Sequence, residues 1–168
     1  MLRRIAAPLL LTSLIIAPLA QRVDAQAPAT AAQPAYGAPI AVDLARKLAA
    51  AAAAEAQKNK RNVAIAIVDT GGHLVYFEKL PETQTGSVEV SIDKARSAAL
   101  FRRPTKSFQD TLAAGGEGLR VLKINGAVPL EGGLPIVADG RVIGAIGVSG
   151  ATSEQDGQVA KAGAALSR

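Results

Sequence analysis

The chain has 168 residues, of which 49% are hydrophobic, enough to fill the core of one domain but not of two. Cysteine is absent, which excludes disulfides, thiolate metal sites, cysteine nucleophiles and covalently attached c-type haem. The formal charge is +5, and it falls to +3 without the export signal described below. That charge, with two tyrosines and three phenylalanines, supplies neither a charged stripe nor a stacking platform for nucleic acid.

The first 25 residues have the pattern of an export signal. Two arginines precede an apolar stretch over 5–20, and small residues predict cleavage after Ala25, with Ala20 and Ala27 as alternatives. The competing interpretation is a retained membrane anchor, but prolines interrupt this run of about sixteen residues, and a spanning helix needs roughly 20. The sequence therefore predicts a periplasmic or secreted protein without stable membrane insertion. Cleavage would remove three cations and one anion, lowering the formal charge from +5 to +3.

A leader and an alanine-rich helix follow the signal. Residues 26–39 are mostly Ala, Pro and Gln, which cannot fill a core, and predict a disordered leader before a domain over 40–168. Residues 43–58 predict a helix in which Leu44 and Leu48 share one face. Its alanine face is thin, so we expect it to pack on the glycine-containing strand described below.

The first of two predicted hairpins joins apolar strands over 63–68 and 73–78. Asp69-Thr70-Gly71-Gly72 forms the turn between them. Since hairpin strands pair antiparallel, this unit predicts an antiparallel sheet rather than a parallel one.

A helical region separates the hairpins. Residues 88–99 have apolar side chains on one helical face, and this helix should end before Pro104. Thr105 is expected to cap a short helix that ends at Gly115-Gly116. Residues 118–128 have the least clear secondary-structure pattern, and an irregular strand is suggested over 119–124.

The second hairpin is the strongest fold signal. Strands over 136–138 and 142–148 flank Asp139-Gly140, which predicts a two-residue turn with positive φ. Glycines recur at every third position from Gly144 to Gly150, which indicates that another element comes close, and the following helix is the expected cover. Ser153 is the predicted N-cap of that helix.

This order of elements predicts an α+β fold with profilin-like α/β/α layers: a central, mostly antiparallel sheet of about five strands with helices packed on it. A Rossmann arrangement is excluded because the strands are joined as hairpins rather than as βαβ units. Small residues on the first and last helices make flat surfaces, which predict a homo-oligomer.

Five motifs occur in the following order: VDTGGHLV at 68–75, KARSAALFRRPT at 94–105, GGLPIVADG at 132–140, VIGAIGVSG at 142–150 and QDGQVAKAG at 155–163. Together they resemble the GlcG/HbpS family over about residues 40–168. The resemblance implies a profilin-like α/β/α domain, often assembled into higher oligomers, with haem binding in some members. Secreted members are described as extracytoplasmic haem or iron sensors, which makes a membrane sensor protein a candidate partner. Many members carry an acid where this chain has Gly157.

His73 is the only histidine and the best haem-iron ligand that the sequence offers, since the only methionine belongs to the signal. One interpretation projects its ring into a cleft as a metal ligand. The other leaves the ring half-exposed, bonded to Asp69 or to water. Asp69 and Asp139 both occupy turns, where an aspartate side chain bonds its own backbone.

Arg102 and Arg103, with Lys106, form the densest basic cluster. They can meet two carboxylates, such as haem propionates or a small dicarboxylate, or they can stabilise the end of the preceding helix. Thr105 can cap the next helix or offer an oxygen to a ligand. Glu131 precedes a Gly-Gly-Leu-Pro bend and can act as a base or bind a cation there.

Two functions remain. A secreted haem-binding or haem-sensing module predicts a porphyrin-sized apolar cleft with His73 at its wall and basic residues at its mouth. An enzyme or binding protein for organic acids predicts a smaller, polar pocket built from Arg103, Thr105 and Glu131. An oligomeric structural module without ligand is a third possibility.

The candidate cofactor is haem, and no catalytic residue is assigned. The predicted ligand-binding residues are His73, Arg102, Arg103, Thr105 and Glu131, with His73 as the metal ligand.

Overall fold

The computed structural model describes residues 32–165, so the predicted signal peptide and the leader up to residue 31 lie outside the described part. No helix within 32–165 is both long and apolar enough to cross a membrane. The elements are α1 Val42–Lys58, β1 Ala64–Asp69, β2 Leu74–Lys79, α2 Ser87–Phe101, α3 Lys106–Ala113, a 3-10 helix Gly116–Lys123, β3 Gly133–Ala138, β4 Arg141–Ser149 and α4 Ser153–Ala164.

The strands described over 32–165 form one antiparallel sheet in the order β2-β1-β4-β3. Each predicted hairpin is present, and β1 joins the two by pairing with β4, with Ala64 opposite Ser149 and Asp69 opposite Gly144. The α+β class and the antiparallel sheet are thereby confirmed. The sheet has four strands rather than about five, because residues 119–123 of the suggested strand are part of the 3-10 helix and Ile124 is its C-cap.

Alternation along β1 distributes the core over both faces of the sheet. Ile65 and Ile67 point to the face covered by α1 and α4, whereas Ala66 and Val68 point to the face covered by α2. The helices therefore enclose the sheet in three α/β/α layers, as predicted.

The prediction that α1 covers the glycine-containing strand is wrong. A Cβ on Gly147 would collide with the backbone of Ser91 and Ala95, so it is α2 that lies against β4 there. The alanine face of α1 packs on α4 instead, where Gly163 lies against Leu48 and Ala52. Small residues permit both close approaches, and the sequence does not show which helix takes which place.

The turn at Asp139-Gly140 has φ of 49° and 70°, confirming the predicted positive-φ turn. The N-cap of α4 is Thr152 rather than Ser153. The Thr152 hydroxyl accepts a hydrogen bond from the Gln155 N–H, and the Gln155 side chain accepts one from the Thr152 N–H. This reciprocal pair is a capping box that begins one residue earlier than predicted.

Residues 34–37, here called the strap, lie beside β4. The Gly37 N–H donates to the Val142 carbonyl at 2.8 Å, and the Val142 N–H donates to the Ala35 carbonyl at 2.9 Å. Because β1 pairs with β4 only as far as Gly144, the backbone of Val142 is left for the strap.

Candidate functional site

A cleft of about 960 Å³ opens beside the sheet edge formed by β3. It is bounded by β3, by the β3–β4 turn, by the end of α4 and by the residues that follow α2. Its wall is mainly apolar and includes Leu134, Pro135 and Val137. Arg102 and Lys161 bring positive charge to this wall, and Asp139 brings a carboxylate.

Arg102 reaches the cleft from the end of α2. It is the C-cap of that helix and takes a left-handed backbone conformation, with φ of 49°. Its Nη1 donates to the Pro34 carbonyl at 3.1 Å, and its guanidinium carbon lies 5.0 Å from the centre of the Tyr36 ring. The strap therefore holds this cation beside the cleft.

Lys161 lines the cleft from α4. Its Nζ is 3.7 Å from Glu131 Oε1, and the two side chains are 65% and 10% exposed, respectively. Glu131 occupies space that a side chain at Gly157 would need, since a Cβ there would collide with the Glu131 carboxylate. The Glu131 carboxylate thus packs against α4 and pairs with Lys161, and Glu131 is not among the residues that line the cleft.

Thr105 does not cap α3 with its side chain, contrary to the prediction. Its hydroxyl donates to the Leu130 carbonyl at 2.6 Å and accepts from the Gly133 N–H at 2.9 Å. Its own N–H donates to the Gly133 carbonyl at 3.0 Å. Thr105 is fully buried, so it fastens the start of β3 and offers no exposed atom to a ligand.

The rest of the basic cluster does not converge on the cleft. The Arg103 guanidinium lies over the Phe108 ring, 5.4 Å from its centre. Lys106 Nζ donates to both Asp110 carboxylate oxygens at 2.6 and 2.9 Å, and this hydrogen bonding raises the pKa of Lys106. Of the three cations, only Arg102 lines the cleft.

His73 lies in the β1–β2 turn, and its side chain is 83% exposed. Its Nδ1 is 3.3 Å from Asp69 Oδ1, which also accepts hydrogen bonds from the N–H groups of Gly71 and His73. Partial burial alone would raise the pKa of Asp69, but these bonds outweigh it and hold the pKa below the ordinary value. His73 does not line the cleft.

Sequence reasoning missed a buried ion pair, which we call the junction, between Lys94 and Asp156. Lys94 Nζ lies 2.8 Å from Asp156 Oδ2 and donates to the Val148 carbonyl at 3.0 Å. Asp156 Oδ1 accepts from the Ala151 N–H at 3.0 Å. Burial raises the pKa of Asp156, although the Lys94 ammonium acts in the opposite direction.

The junction supports the bend that leads into β3. Gly132 has a φ of 128°, and a Cβ there would lie 2.7 Å from the Val148 carbonyl oxygen and 2.9 Å from Lys94 Nζ. One signal could have revealed Lys94, because it shares the buried face of α2 with Ser87 and Ser91. A lysine at that spacing needs a buried partner.

The residues that line the cleft suit an amphipathic anion as ligand. Its apolar wall can cover a flat hydrophobic surface, and Arg102 and Lys161 can each bind a carboxylate. No group of three or more His, Asp or Glu residues within 32–165 is arranged to hold a metal ion.

Comparisons with known proteins identify related chains. A family model described as "Haem degrading protein HbpS-like" matches residues 40–165. Protein GlcG of Escherichia coli strain K12 is 42% identical over 110 residues, which are 66% of this chain and 81% of GlcG. A double mutant of Streptomyces reticuli HbpS is 29% identical, with a TM-score of 0.71, covering 90% of this chain and 97% of that one. A PduOC:heme complex is 27% identical, with a TM-score of 0.68, covering 76% and 94%.

Proposed function

The chain belongs to the HbpS-like family, and from this premise we propose that it binds haem, or a related flat ligand bearing carboxylates, in the cleft beside β3. The observation that carries the proposal is that one cleft combines an apolar wall with two cations, Arg102 and Lys161. A similar chain, PduOC, has been crystallised as a haem complex, which supports the same ligand class here.

The cleft suits the body and the carboxylates of a porphyrin. Its volume of about 960 Å³ lies at the upper end of the roughly 300–1,000 Å³ found for small-molecule sites, and far exceeds the needs of a two-carbon organic acid. Leu134, Pro135 and Val137 would lie against the ring, and the Arg102 guanidinium suits a carboxylate in two-bond geometry. Lys161 would bind the other carboxylate as a point charge.

No histidine is among the described residues that line the cleft, so the cleft offers no imidazole ligand for haem iron. His73 belongs to the other hairpin, at the β2 side of the sheet, and does not line the cleft. We therefore propose binding through the ring face and the carboxylates, without His73. Bound haem would supply a redox-active iron, and the protein would supply the apolar cover and the charge.

The proposal places this ligand outside the cytoplasm, because residues 1–25 have the pattern of an export signal. A role in haem sensing through a membrane protein would follow from that location. Comparing the mass of the protein recovered from the periplasm and medium with that of the full chain tests export. Recovery only of the full-length chain in the cytoplasm would contradict it.

A titration with two porphyrins tests the binding site. Hemin is followed by its Soret band, and metal-free protoporphyrin IX by its fluorescence. Since the proposed contacts do not involve iron, we expect both to bind saturably and His73→Ala to weaken neither. Lys161→Ala should weaken both by about tenfold, the loss expected for one charged hydrogen bond. Lys47→Ala removes the same charge from an exposed position on α1 and should leave both affinities unchanged.

Two outcomes would overturn the proposal. Absence of saturable binding of either porphyrin would exclude the ligand class, and calorimetry with small organic acids would then test the alternative function. Binding of hemin alone, abolished by His73→Ala, would move the site to the β1–β2 turn.

A further inference from the structure

We propose that the strap is part of the ligand site and that Tyr36 is a positioning residue for Arg102, fixing the guanidinium that binds a ligand carboxylate. This inference rests on the proposed function of the cleft. The strap precedes residues 40–165, which the family model matches, so it adds to the site a component that lies outside the matched domain.

The position of the Arg102 guanidinium depends on contacts outside α2. It follows the last residue of α2 with φ of 49°, a conformation that non-glycine residues adopt at a cost. The contacts that fix its guanidinium come from the strap, namely the hydrogen bond to the Pro34 carbonyl and the stacking on the Tyr36 ring.

Tyr36 is itself fixed at two points. Its hydroxyl lies 3.0 Å from the carbonyl oxygens of both Ala99 and Leu100, to which it donates. These carbonyls belong to the last turn of α2, where the Ala99 carbonyl also accepts from the Arg102 N–H at 3.3 Å. Its backbone is paired with Val142 of β4. The ring is therefore a platform tied to both the helix and the sheet.

The strap also contributes directly to the cleft, since Pro34 lines it together with Arg102. A guanidinium held against an aromatic face keeps its edge N–H groups available for a carboxylate, because the stacking uses the face of the group. This geometry separates the two roles of Arg102: the ring and the Pro34 carbonyl orient it, and the remaining donors meet the ligand.

A double-mutant cycle on protoporphyrin IX affinity tests the inference. Tyr36→Leu removes the ring and should weaken binding by about two- to fivefold, the range expected for an exposed cation–π contact. In an Arg102→Ala background, Tyr36→Leu should have no further effect. Tyr36→Phe keeps the ring and should retain most of the affinity, which serves as the conservative control. An equal loss on Tyr36→Leu in both backgrounds would show that the strap acts independently of Arg102 and would overturn the inference.

A second measurement, made without ligand, separates this inference from the proposed function. Phenylglyoxal modifies accessible arginines, and mass spectrometry gives the rate at Arg102. Tyr36→Leu should raise that rate by about two- to fivefold, while the rate at Arg46 on α1 stays unchanged. If the wild-type protein binds no porphyrin, the proposed function fails, and this rate still decides the positioning role. Equal rates in the wild type and Tyr36→Leu would overturn it.

Discussion

The junction and the cleft lie beside consecutive residues at the start of β3, yet they use positive charge in opposite ways. Gly132 and Gly133 pack against Lys94, whereas Leu134 and Pro135 line the cleft with Arg102. Lys94 is buried and bound to Val148 and to its acidic partner, Asp156. Arg102 lies at an opening, where donors remain for a ligand.

The difference shows that burial, rather than residue type, determines what a cation contributes. A buried charge that loses its partner costs stability, while an exposed cation can be removed at little cost to the fold. Changes at the junction should therefore alter unfolding, and changes at the cleft should alter binding.

The largest expected effect is at the junction. Lys94→Met leaves Asp156 buried without its cation and should lower the free energy of unfolding by about 3–5 kcal/mol. Urea unfolding followed by circular dichroism measures this. The double variant Lys94→Met/Asp156→Leu should recover much of the loss, because neither charge is then buried. A loss below about 1 kcal/mol in the single variant would contradict the importance of the pair.

Alanine at two glycines should have unequal effects. At Gly132 the backbone has a positive φ, and the new Cβ would meet the Val148 carbonyl and the junction. Gly132→Ala should therefore lower the free energy of unfolding by about 1–3 kcal/mol. At Gly157 the collision is with the flexible Glu131 side chain, so the cost in unfolding free energy should be smaller. Removing that side chain in Gly157→Ala/Glu131→Ala should relieve the collision. A cost at Gly132 as small as the one at Gly157 would show that the bend tolerates a side chain.

A charge-conserving change separates charge from geometry in the cleft. Arg102→Lys keeps the cation but loses the planar fork and the stacking on Tyr36. We expect porphyrin affinity to fall severalfold while thermal unfolding shifts by no more than about 2–4 °C. An affinity equal to that of the wild type would mean that charge alone is recognised.

The smallest expected effect is at the turn that carries His73. Because folding lowers the pKa of Asp69, its carboxylate stabilises the native state above the ordinary pKa of 3.8, and this contribution is lost as the pH falls through the lower, folded value. Asp69→Asn should therefore lower the free energy of unfolding by less than about 1 kcal/mol at pH 7. At a pH below the folded pKa of Asp69 it should have no effect. A pH series of urea unfolding curves measures the difference. If the wild type remains more stable than Asp69→Asn at the lowest pH, the stabilisation does not come from the ionised carboxylate.

The hairpins could be predicted from sequence because their signals are local. An Asp-Gly pair between apolar runs specifies a turn with positive φ, and the structure has it at Asp139-Gly140. Arg102 was also found as a candidate, since a cation at a helix end beside a second arginine is visible in the sequence.

The remaining parts of the site depend on contacts between distant residues. Lys94 and Asp156 are 62 positions apart, so the sequence context of neither residue identifies the other as its partner. Tyr36 lies in a stretch whose composition predicts disorder, and it pairs with the part of β4 that extends beyond the pairing with β1. Thr105 has the sequence context of a helix cap, but its bonds go to a strand 28 residues later.

The outer edge of β3 has a further consequence. Both backbone groups of Gly133 are bonded to Thr105, and Pro135 has no N–H to offer. An incoming strand from a second chain would find few partners there, so the sheet cannot readily be extended across this border into a continuous intermolecular sheet. This border is therefore protected from edge-to-edge strand pairing, and we expect copies that associate to do so through other surfaces.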